Sequence, residues 1–384
     1  MKYKLGECIE EIVDKTTENN QYEVLSVTKD GIYSQEEFFK KQIASEDNTG
    51  YKIIRKNNLV FSTMNLWMGS LDVLSNYEIG IVSPAYKIFK FNESKMISSF
   101  GKYFMKSHFM LEQYKNCSEQ GASVVRRNLD LKQLLDTEII IPTVEEQCKI
   151  VKVLENIDEI INKYTNLIKN KEQFIKSQFV EIFGNLNSNS KGYEVVKLSD
   201  IAKYWNGLTY SPANVSEKGT IVLRSSNIKN SKLNFEDIVK VDCDIKEKNF
   251  VKENDILMCS RNGSANLVGK VAMIESFTEP MCFGAFMMII RSKYYKYLFY
   301  YFQNDAFRKN ISLETTTQIN QITANMLDKI RIPLPSAGEI EKYGLIVELI
   351  DKQKFELEKQ KQNYIDLKKG LMQQLLTGKV KLDV

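Results

Sequence analysis

Hydrophobic and polar positions repeat with two different periods along this chain. Between residues 145 and 183 apolar side chains recur every three or four positions, and no glycine or proline interrupts them. This spacing is typical of a helix that packs one apolar stripe against another helix, here over about five heptads. The predicted stripe consists of Ile150, Leu154, Ile157, Ile161, Tyr164, Ile168, Lys171, Ile175, Gln178 and Ile182.

A second, weaker heptad pattern lies near the end of the chain. We expect the two helices to pair as an antiparallel coiled coil, because a rod of about 60 Å is longer than a small domain can cover. The alternative, in which each helix lies on its own globule, stays open. The stripe of the second helix is predicted to consist of Ile350, Leu357, Tyr364 and Leu371, with Ile346, Gln353, Gln360 and Leu367 in its other positions.

Three lysines of the second helix also stand seven residues apart, at positions 354, 361 and 368. One interpretation is a solvated stripe on the outer face of the helix. The other is a row of charges that contacts phosphates. The sequence slightly favours the solvated stripe.

The two helical segments are copies of one design. Residues 139–184 and 332–377 lie 193 positions apart, and in each an apolar strand runs into proline and glutamate before the helix. The same offset relates Pro142 to Pro335 and Asp158 to Asp351. A chain built twice from one plan predicts an internal pseudo-twofold, which suits a ligand with two half-sites.

The segments that precede the helices predict mixed α/β globules. Short β-rich runs at 58–62 and 255–259 occupy comparable places, and an aromatic-rich helical stretch follows in each segment. The fold class is therefore mixed α/β, with two α+β globules separated by the two long helices. The expected divisions are a globule at 1–143, a helix at 144–184, a linker at 185–192, a globule at 193–335, a helix at 336–377 and a tail at 378–384.

Composition excludes several classes of function. The six cysteines form no C-x-x-C pair and the chain has one histidine, His108, so zinc binding and histidine-dependent catalysis lack their residues. The net charge of +4 permits nucleic acid as a partner without demanding it. The longest apolar run, 282–290, is too short to cross a bilayer and the start resembles no signal peptide, so we expect a cytoplasmic protein.

Two short motifs imitate catalytic loops but lack essential residues. The run 83–86, Ser-Pro-Ala-Tyr, resembles the target-base loop of amino-methyltransferases, but alanine replaces the second proline. The run 263–270 resembles a phosphate-binding loop, but its glycines are too far apart and Val271 stands where a magnesium ligand should be. We therefore expect no catalytic residue and no metal site.

Other segments resemble one family over the whole length of the chain. They are the run from Pro142 to Gln147, the helix end at 176–184, the terminal run 367–382, and the polar loops 121–129 and 317–322. Their joint order, present twice, is similar to that of the specificity subunits of type I restriction–modification systems. One departure is Gly338-Glu339-Ile340, where the family has Glu-Glu-Gln.

The resemblance implies a non-enzymatic, sequence-specific DNA-binding subunit. Each globule would be a target-recognition domain reading one half of a bipartite site on double-stranded DNA, with half-site centres about 10 bp apart. The helices would set the spacing and bind two methyltransferase subunits, and restriction subunits could join them. S-adenosylmethionine, ATP and Mg would belong to those partners. The residues expected to contact partners are Glu145, Glu146, Gln147, Phe179, Phe183, Leu371 and Leu375.

Three polar loops supply the candidate DNA contacts, since base readout needs planar donors and acceptors and phosphates need charge or small donors. A solvated turn is the alternative for each. Trp67 and Trp205 could stack on a flipped base, although packing is the simpler interpretation. The candidate residues are Ser123, Arg126 and Arg127; Arg261, Asn262 and Ser264; and Thr317, Gln318 and Asn320.

Two other functions stay open on the sequence. In the first, the chain is a divergent DNA adenine methyltransferase in which residues 83–86 contact the target base. In the second, it is a coiled-coil adaptor, either joining unrelated domains or serving another restriction system. Binding of S-adenosylmethionine would favour the first, and the absence of sequence-dependent DNA affinity would favour the second.

Overall fold

A computed structural model describes residues 1–29, 31–38, 47–120, 127–313 and 321–378. The chain divides into two compact units: unit 1 comprises Met1–Leu167 with Leu357–Val384, and unit 2 comprises Ile168–Glu356. The expected divisions kept both helices apart from the globules. Each compact unit includes part of both long helices, because each part packs on the core beside it. The finer division into globules, helices, linker and tail stays a prediction.

Unit 1 is built around an antiparallel sheet with strand order β2-β9-β6-β7. Its elements are β1 Lys2–Lys4, α1 Leu5–Cys8, β2 Ile9–Glu11, β3 Leu25–Thr28, β4 Gly31–Ser34, α2 Gln35–Phe38, β5 Lys52–Arg55, β6 Leu59–Ser62, β7 Leu71–Val73, β8 Ile79–Val82, β9 Tyr86–Phe91, α3 Ser98–Phe104, α4 His108–Asn116, β10 Ser118–Gln120, β11 Arg127–Leu129, α5 Leu131–Leu135, β12 Glu138–Ile140 and the first part of α6, Val144–Phe183.

Unit 2 repeats this plan with a sheet of order β14-β22-β19-β20. Its elements are β13 Glu194–Lys197, α7 Leu198–Ile201, β14 Lys203–Asn206, β15 Val215–Leu223, β16 Ile228–Lys229, β17 Lys232–Leu233, β18 Lys240–Val241, β19 Ile256–Cys259, β20 Val271–Met273, β21 Met281–Phe283, β22 Met287–Arg291, α8 Tyr295–Tyr301, α9 Asp305–Leu313, α10 Ala324–Lys329, β23 Arg331–Leu334 and α11, Ala337–Leu375, whose end belongs to unit 1.

Every residue of the central strands β6 and β19 is buried, because both faces of each sheet are covered. In β6, Leu59 and Phe61 face the core that includes the long helices, while Val60 faces a second core formed by β3, β4, β5 and β8. Strand β19 divides its residues in the same way. The β-rich runs predicted at 58–62 and 255–259 are therefore these two central strands.

The long helices pair antiparallel within each unit, as predicted. In unit 1, Lys368 Nζ lies 2.5 Å from Asp158 Oδ1, and the rings of Tyr164 and Tyr364 lie 5.8 Å apart. Every predicted stripe position of α6 is buried or half-buried. The stripe of the first helix is therefore confirmed.

The stripe of the second helix was predicted partly wrongly. Gln353, Gln360 and Leu367 are exposed, whereas Lys354 is only 8% exposed and Lys361 and Lys368 are half-buried. The lysines therefore line the seam and do not form a solvated stripe. Two of their ammonium groups reach acidic partners, Lys354 Nζ at 3.1 Å from Glu172 Oε1 and Lys368 Nζ at 2.5 Å from Asp158 Oδ1, while the methylene stems pack inside.

Both long helices begin with the same capping arrangement. In α6 the backbone N–H of Thr143 donates to Glu146 (2.9 Å) and the backbone N–H of Glu146 donates to the Thr143 hydroxyl (3.3 Å). Ser336 and Glu339 form the same pair of bonds at α11. The departure at residues 338–340 therefore leaves the capping box intact, since the box needs only the first and fourth positions.

Candidate nucleic-acid interface

In unit 1 the candidate site that the structure describes is centred on Arg127. This residue begins β11, and its backbone N–H donates to the carbonyl of Met64 (3.2 Å) just beyond the end of β6. Its guanidinium carbon lies 4.3 Å from the ring centroid of Trp67. The predicted neighbours Ser123 and Arg126 lie outside the described residues.

Trp67 is held by the turn between β6 and β7. A single 3-10 turn, Leu66–Met68, closes with Gly69 in the left-handed region at φ +83°, which glycine adopts without strain. Leu66 is fully buried and anchors the turn, while Trp67 is half-buried. The tryptophan thus acts as a partner for an arginine, a role that the sequence analysis did not consider.

In unit 2 the corresponding place is occupied by Arg261. Its backbone N–H donates to the carbonyl of Phe286 (3.0 Å), and it forms a β-bridge with Gln321. Its guanidinium carbon lies 5.4 Å from the ring centroid of Phe286, whose side chain is 59% exposed. Phe286 escaped the sequence analysis because it lies within an apolar run that reads as core.

The rest of the predicted turn holds Arg261 in position. Asn262 donates to the Ser225 hydroxyl (3.1 Å) and accepts from the backbone N–H of Ser264 (2.9 Å). The amide of Asn262 is therefore engaged within the chain. Ser225 and the neighbouring Arg224, which forms an ion pair with Asp237 (2.7 Å), are further polar groups here that no sequence motif marked. The predicted Thr317, Gln318 and Asn320 lie outside the described residues.

The two arginines belong to equivalent pairs of segments but lie on opposite members of the pair. Met64 and Arg261 each lie two residues beyond the end of the central strand, β6 or β19. Arg127 and Gln321 are the residues that pair with them. In unit 1 the arginine, Arg127, lies on the segment that bonds just beyond the end of the central strand. In unit 2 the arginine, Arg261, lies just beyond the end of the central strand itself. Each unit therefore carries one guanidinium on an aromatic ring at this edge of its sheet.

Trp205 has a structural role within unit 2. Its indole N–H donates to the carbonyl of Lys248 (3.0 Å), and the Arg291 guanidinium lies 5.0 Å from its ring. Arg291 is itself bonded to the buried Asp255 at 2.6 Å, which raises the pKa of the arginine. The packing interpretation therefore describes Trp205 better than stacking on a base.

The residues expected to contact partner subunits differ in accessibility. Glu145 is exposed, Leu371 is half-buried, and Glu146 caps its own helix. Gln147 is fully buried, where it donates to the carbonyls of Lys95 and Pro142 and accepts from the backbone N–H of Ile97. The aromatic pair Phe179 and Phe183 and the aliphatic Leu375 are also core residues, at 3%, 1% and 1% exposure.

Other apolar side chains of the long helices do face solvent. In unit 2 these are Phe174 and Val180 on α6 and Leu345, Leu349 and Phe355 on α11, each at least 44% exposed. In unit 1 they are Leu167 and Leu367. Sequence analysis missed this set because it looked for partner contacts in the motifs that resemble the family, and several of those residues serve the internal core.

The run Ser83–Tyr86 is a tight turn between β8 and β9. The backbone N–H of Tyr86 donates to the carbonyl of Ser83 (3.0 Å), and the carbonyl of Tyr86 accepts from Lys52 Nζ (2.6 Å). Burial raises the pKa of the Tyr86 hydroxyl. The turn therefore serves the sheet.

Within the described ranges, no group of three or more histidine, cysteine, aspartate or glutamate residues could hold a metal ion. Over the same residues, no helix combines the length and the apolar character needed to cross a membrane. Burial raises the pKa of the Cys8 thiol to about 11 and that of Cys282 to about 12, so both remain protonated at neutral pH.

Comparison with known proteins identifies relatives of this chain. A family model described as the type I restriction modification DNA specificity domain matches residues 190–367. The type I restriction enzyme MjaVIII specificity subunit of Methanocaldococcus jannaschii is 24% identical over 300 residues, which is 73% of this chain and 70% of that protein. The StySPI specificity subunit of Salmonella potsdam is 27% identical over 181 residues, covering 44% of this chain and 39% of that protein.

Solved structures share the fold. One is a chain from work on the assembly and conformational transition of the type I R-M system. The match covers 99% of this chain and 98% of that chain, with a TM-score of 0.58 at 15% identity. The type I restriction–modification S subunit from M. genitalium gives a TM-score of 0.51 at 14% identity over 98% of this chain and 96% of its own. The family model and the curated proteins confirm the resemblance inferred from the sequence: this chain is similar to the specificity subunits of type I restriction–modification systems.

Proposed function

We propose that this chain is the DNA-reading subunit of a type I restriction–modification system. Each unit reads one half of a bipartite site on double-stranded DNA, and the two long helices set the number of base pairs between the halves. The chain itself performs no catalysis. Because its target is DNA, the chain would act in the cytoplasm.

One observation carries the proposal. Two units with the same sheet order each present a stacked arginine at the same edge, Arg127 in one and Arg261 in the other. A stacked guanidinium keeps its in-plane N–H groups for a planar acceptor, as in base recognition. Two such sites on one chain are what a target with two separate halves requires. The residues around the two arginines differ between the units, so each unit would recognise its own half-site sequence.

The wider set of DNA contacts includes predicted residues outside the described ranges. Ser123 and Arg126 precede Arg127 in the chain, and Thr317, Gln318 and Asn320 precede Gln321. Asn262 and Ser264 hold the turn that carries Arg261, so they act on DNA through the position of that arginine.

The partners are two methyltransferase subunits and, where cleavage occurs, restriction subunits. They bring S-adenosylmethionine, ATP and Mg, none of which this chain binds. The exposed apolar residues of the helices, among them Leu345, Leu349 and Phe355, offer the docking surface, together with the exposed Glu145. The buried Phe179, Phe183, Gln147 and Leu375 support that surface from inside. Aromatic and aliphatic side chains at such exposure are typical of interface cores.

The proposal is tested by measuring DNA binding of the complex that the full chain forms in its host. Fluorescence anisotropy should show salt-dependent affinity that is higher for duplexes carrying one bipartite sequence. Methylated adenines mapped with and without the gene should give the same sequence. An affinity that ignores sequence would reduce the chain to an adaptor, and S-adenosylmethionine bound by the isolated chain would revive the methyltransferase alternative.

A second experiment addresses the spacing. Inserting one heptad after Leu167 and another after Glu358 adds about 10 Å to each helix while keeping the seam in phase. The mapped spacer should then grow by about three base pairs, because each base pair of DNA rises about 3.4 Å. A matched insertion in the loop at 185–192 is the control and should leave the spacer unchanged. An unaltered spacer after the helix insertions contradicts the role of the helices.

A further inference from the structure

We infer that each half of the target contains a guanine, read in the major groove by Arg127 in unit 1 and by Arg261 in unit 2. The inference rests on the proposed DNA-reading function and goes beyond it, because it names a base in each half-site and the side chain that selects it. It draws only on residues that the structure describes.

The first observation is that these two arginines have no carboxylate partner among the residues that the structure describes. Arg55, Arg224 and Arg291 each form an ion pair with an aspartate at 2.6–2.7 Å. Within the described chain, neither Arg127 nor Arg261 forms a side-chain ion pair or hydrogen bond, and Arg127 Nε is a buried donor without a partner. Apart from the buried Nε of Arg127, the guanidinium N–H groups of both residues are therefore available to a ligand.

The second observation is that both guanidinium groups are held by aromatic rings. Arg127 lies 4.3 Å from the Trp67 centroid and Arg261 lies 5.4 Å from the Phe286 centroid. Their backbones are fixed by hydrogen bonds to Met64 and Phe286. A ring restricts the plane of a guanidinium and leaves its N–H groups pointing outward in that plane. The orientation of the guanidinium matters little for a contact to phosphate, but two parallel hydrogen bonds to a base form only when that orientation is fixed.

The chemistry selects guanine among the bases. In the major groove guanine presents two adjacent acceptors, O6 and N7, which match two parallel guanidinium N–H groups. Adenine presents N7 beside the N6 amino donor, which would oppose one of those N–H groups. Cytosine and thymine do not offer two neighbouring acceptors there. A charge-only contact to phosphate would accept lysine equally well.

The aromatic supports distinguish the two units. Trp67 is half-buried and belongs to a closed turn, whereas Phe286 is 59% exposed. Trp67 and Phe286 are positioning residues, since they act through the arginines. Replacing either with leucine should weaken the same guanine preference without shifting it to another base.

The test selects duplexes from a random pool with the complex purified from the host through the tagged full chain. The duplexes selected by the wild type should contain, in each half-site, one guanine whose selection is lost when the arginine of that unit is replaced. In Arg261→Lys, the preference for the guanine in one half should fall about 5- to 150-fold, while the other half stays unchanged. Arg127→Lys should relax the other half only. Arg55→Lys and Arg331→Lys are controls, and both should retain the wild-type sequence.

A change on the DNA side completes the test. Replacing the selected guanine by 7-deazaguanine removes N7, so the affinity of the wild type for this duplex should fall. The Arg261→Lys variant should bind the guanine and 7-deazaguanine duplexes with equal affinity, because it has already lost the contact to N7. Arg261 is exposed, so this variant should fold; thermal unfolding verifies it. A half-site without guanine, or a loss in Arg261→Lys spread evenly over all positions, would overturn the inference while the proposed function stands. If the wild type selects no sequence at all, the proposed function fails.

Discussion

Unit 1 and unit 2 use one frame but join it to the long helices with different chemistry. In unit 1 the buried amide of Gln147 ties α6 to the segment before α3 through two hydrogen bonds, with Lys95 and Ile97, and makes a third to the Pro142 carbonyl just before its own helix. At the position 193 residues later, unit 2 has Ile340, which is buried in an apolar core. The backbone geometry is shared, so the frame tolerates either a satisfied polar group or an apolar one.

The same contrast holds along the helix seam. In unit 1 Lys368 pairs with Asp158, which also accepts from the Tyr103 hydroxyl (2.9 Å). The residue equivalent to Lys368 in unit 2 is Ile175, which is buried. Burial, followed by the bond to Asp158, raises the pKa of Tyr103, so this hydroxyl remains a donor. At this position unit 1 has a polar anchor where unit 2 has a hydrophobic contact, whereas at Lys354, which pairs with Glu172 in unit 2, the equivalent residue of unit 1 is the apolar Ile161.

Unit 2 compensates with aromatic packing. Phe183 meets Phe179, Tyr297 and Tyr343 edge to face, with ring centroids 4.9–5.2 Å apart. Unit 1 has Leu376 at the position equivalent to Phe183. The comparison teaches that what the repeat preserves is the pairing of positions, while each position's chemistry is free to change with its neighbours.

The largest effect should come from Phe183→Ala. Removing a ring that is 1% exposed leaves a cavity, so unit 2 should lose about 3–5 kcal/mol of unfolding free energy. Urea unfolding can be followed for each unit in single-tryptophan variants, because one of the two tryptophans, Trp67, lies in unit 1 and Trp205 lies in unit 2. Phe174→Ala, at a 44% exposed position on the same helix, should change stability by less than about 0.5 kcal/mol. Equal losses in the two variants would refute the aromatic core.

Gln147→Leu should have the next largest effect, confined to unit 1. The substitution leaves the Ile97 N–H and the Lys95 and Pro142 carbonyls without their partner, which costs about 1–3 kcal/mol. Trp67 fluorescence should report an earlier urea midpoint, while Trp205 fluorescence should not change. Glu145→Gln, at an exposed site two residues away, is the control. A stable Gln147→Leu variant would mean that the two units do not differ in this way.

The ionic seam of unit 1 should give a smaller effect. Asp158→Leu leaves Lys368 without a carboxylate at a side chain that is 22% exposed, so we expect a loss of about 1–2 kcal/mol. Adding Lys368→Ile, which copies unit 2, should restore part of that loss. The double-mutant cycle measures the coupling. Additive losses in the cycle would show that the ion pair contributes nothing.

The smallest effects should be equal in the two units. Thr143→Ala and Ser336→Ala each remove a capping hydroxyl and should each cost about 1 kcal/mol. The Ser336 and Tyr193 hydroxyls lower the pKa of Glu339, so its contribution is complete above its ordinary pKa and is lost as pH falls through the lowered value. Ser336→Ala should therefore lose less stability than the wild type between about pH 5 and 3. Unequal cap losses at neutral pH would argue against a shared frame.

The seam of α6 could be predicted from the sequence, because its apolar residues alone define the period. The seam of α11 could not be predicted in this way. Lysine at a seam position contradicts the hydrophobic pattern, so the second stripe was placed one residue away from Lys354, Lys361 and Lys368. Glu172 and Asp158 on the facing helix make Lys354 and Lys368 acceptable inside, and no local pattern in the sequence marks that pairing.

The sequence by itself determined the repeat, the two long helices, their caps and the kinship with specificity subunits, because these depend on local spacing and on residue order. Tertiary structure decided which side chains meet across distant segments. It seated Arg127 on Trp67 and Arg261 on Phe286, and it buried Gln147 and Phe183 in the chain's own core. Such contacts join residues far apart in the chain, and their energies depend on partners that no local pattern specifies.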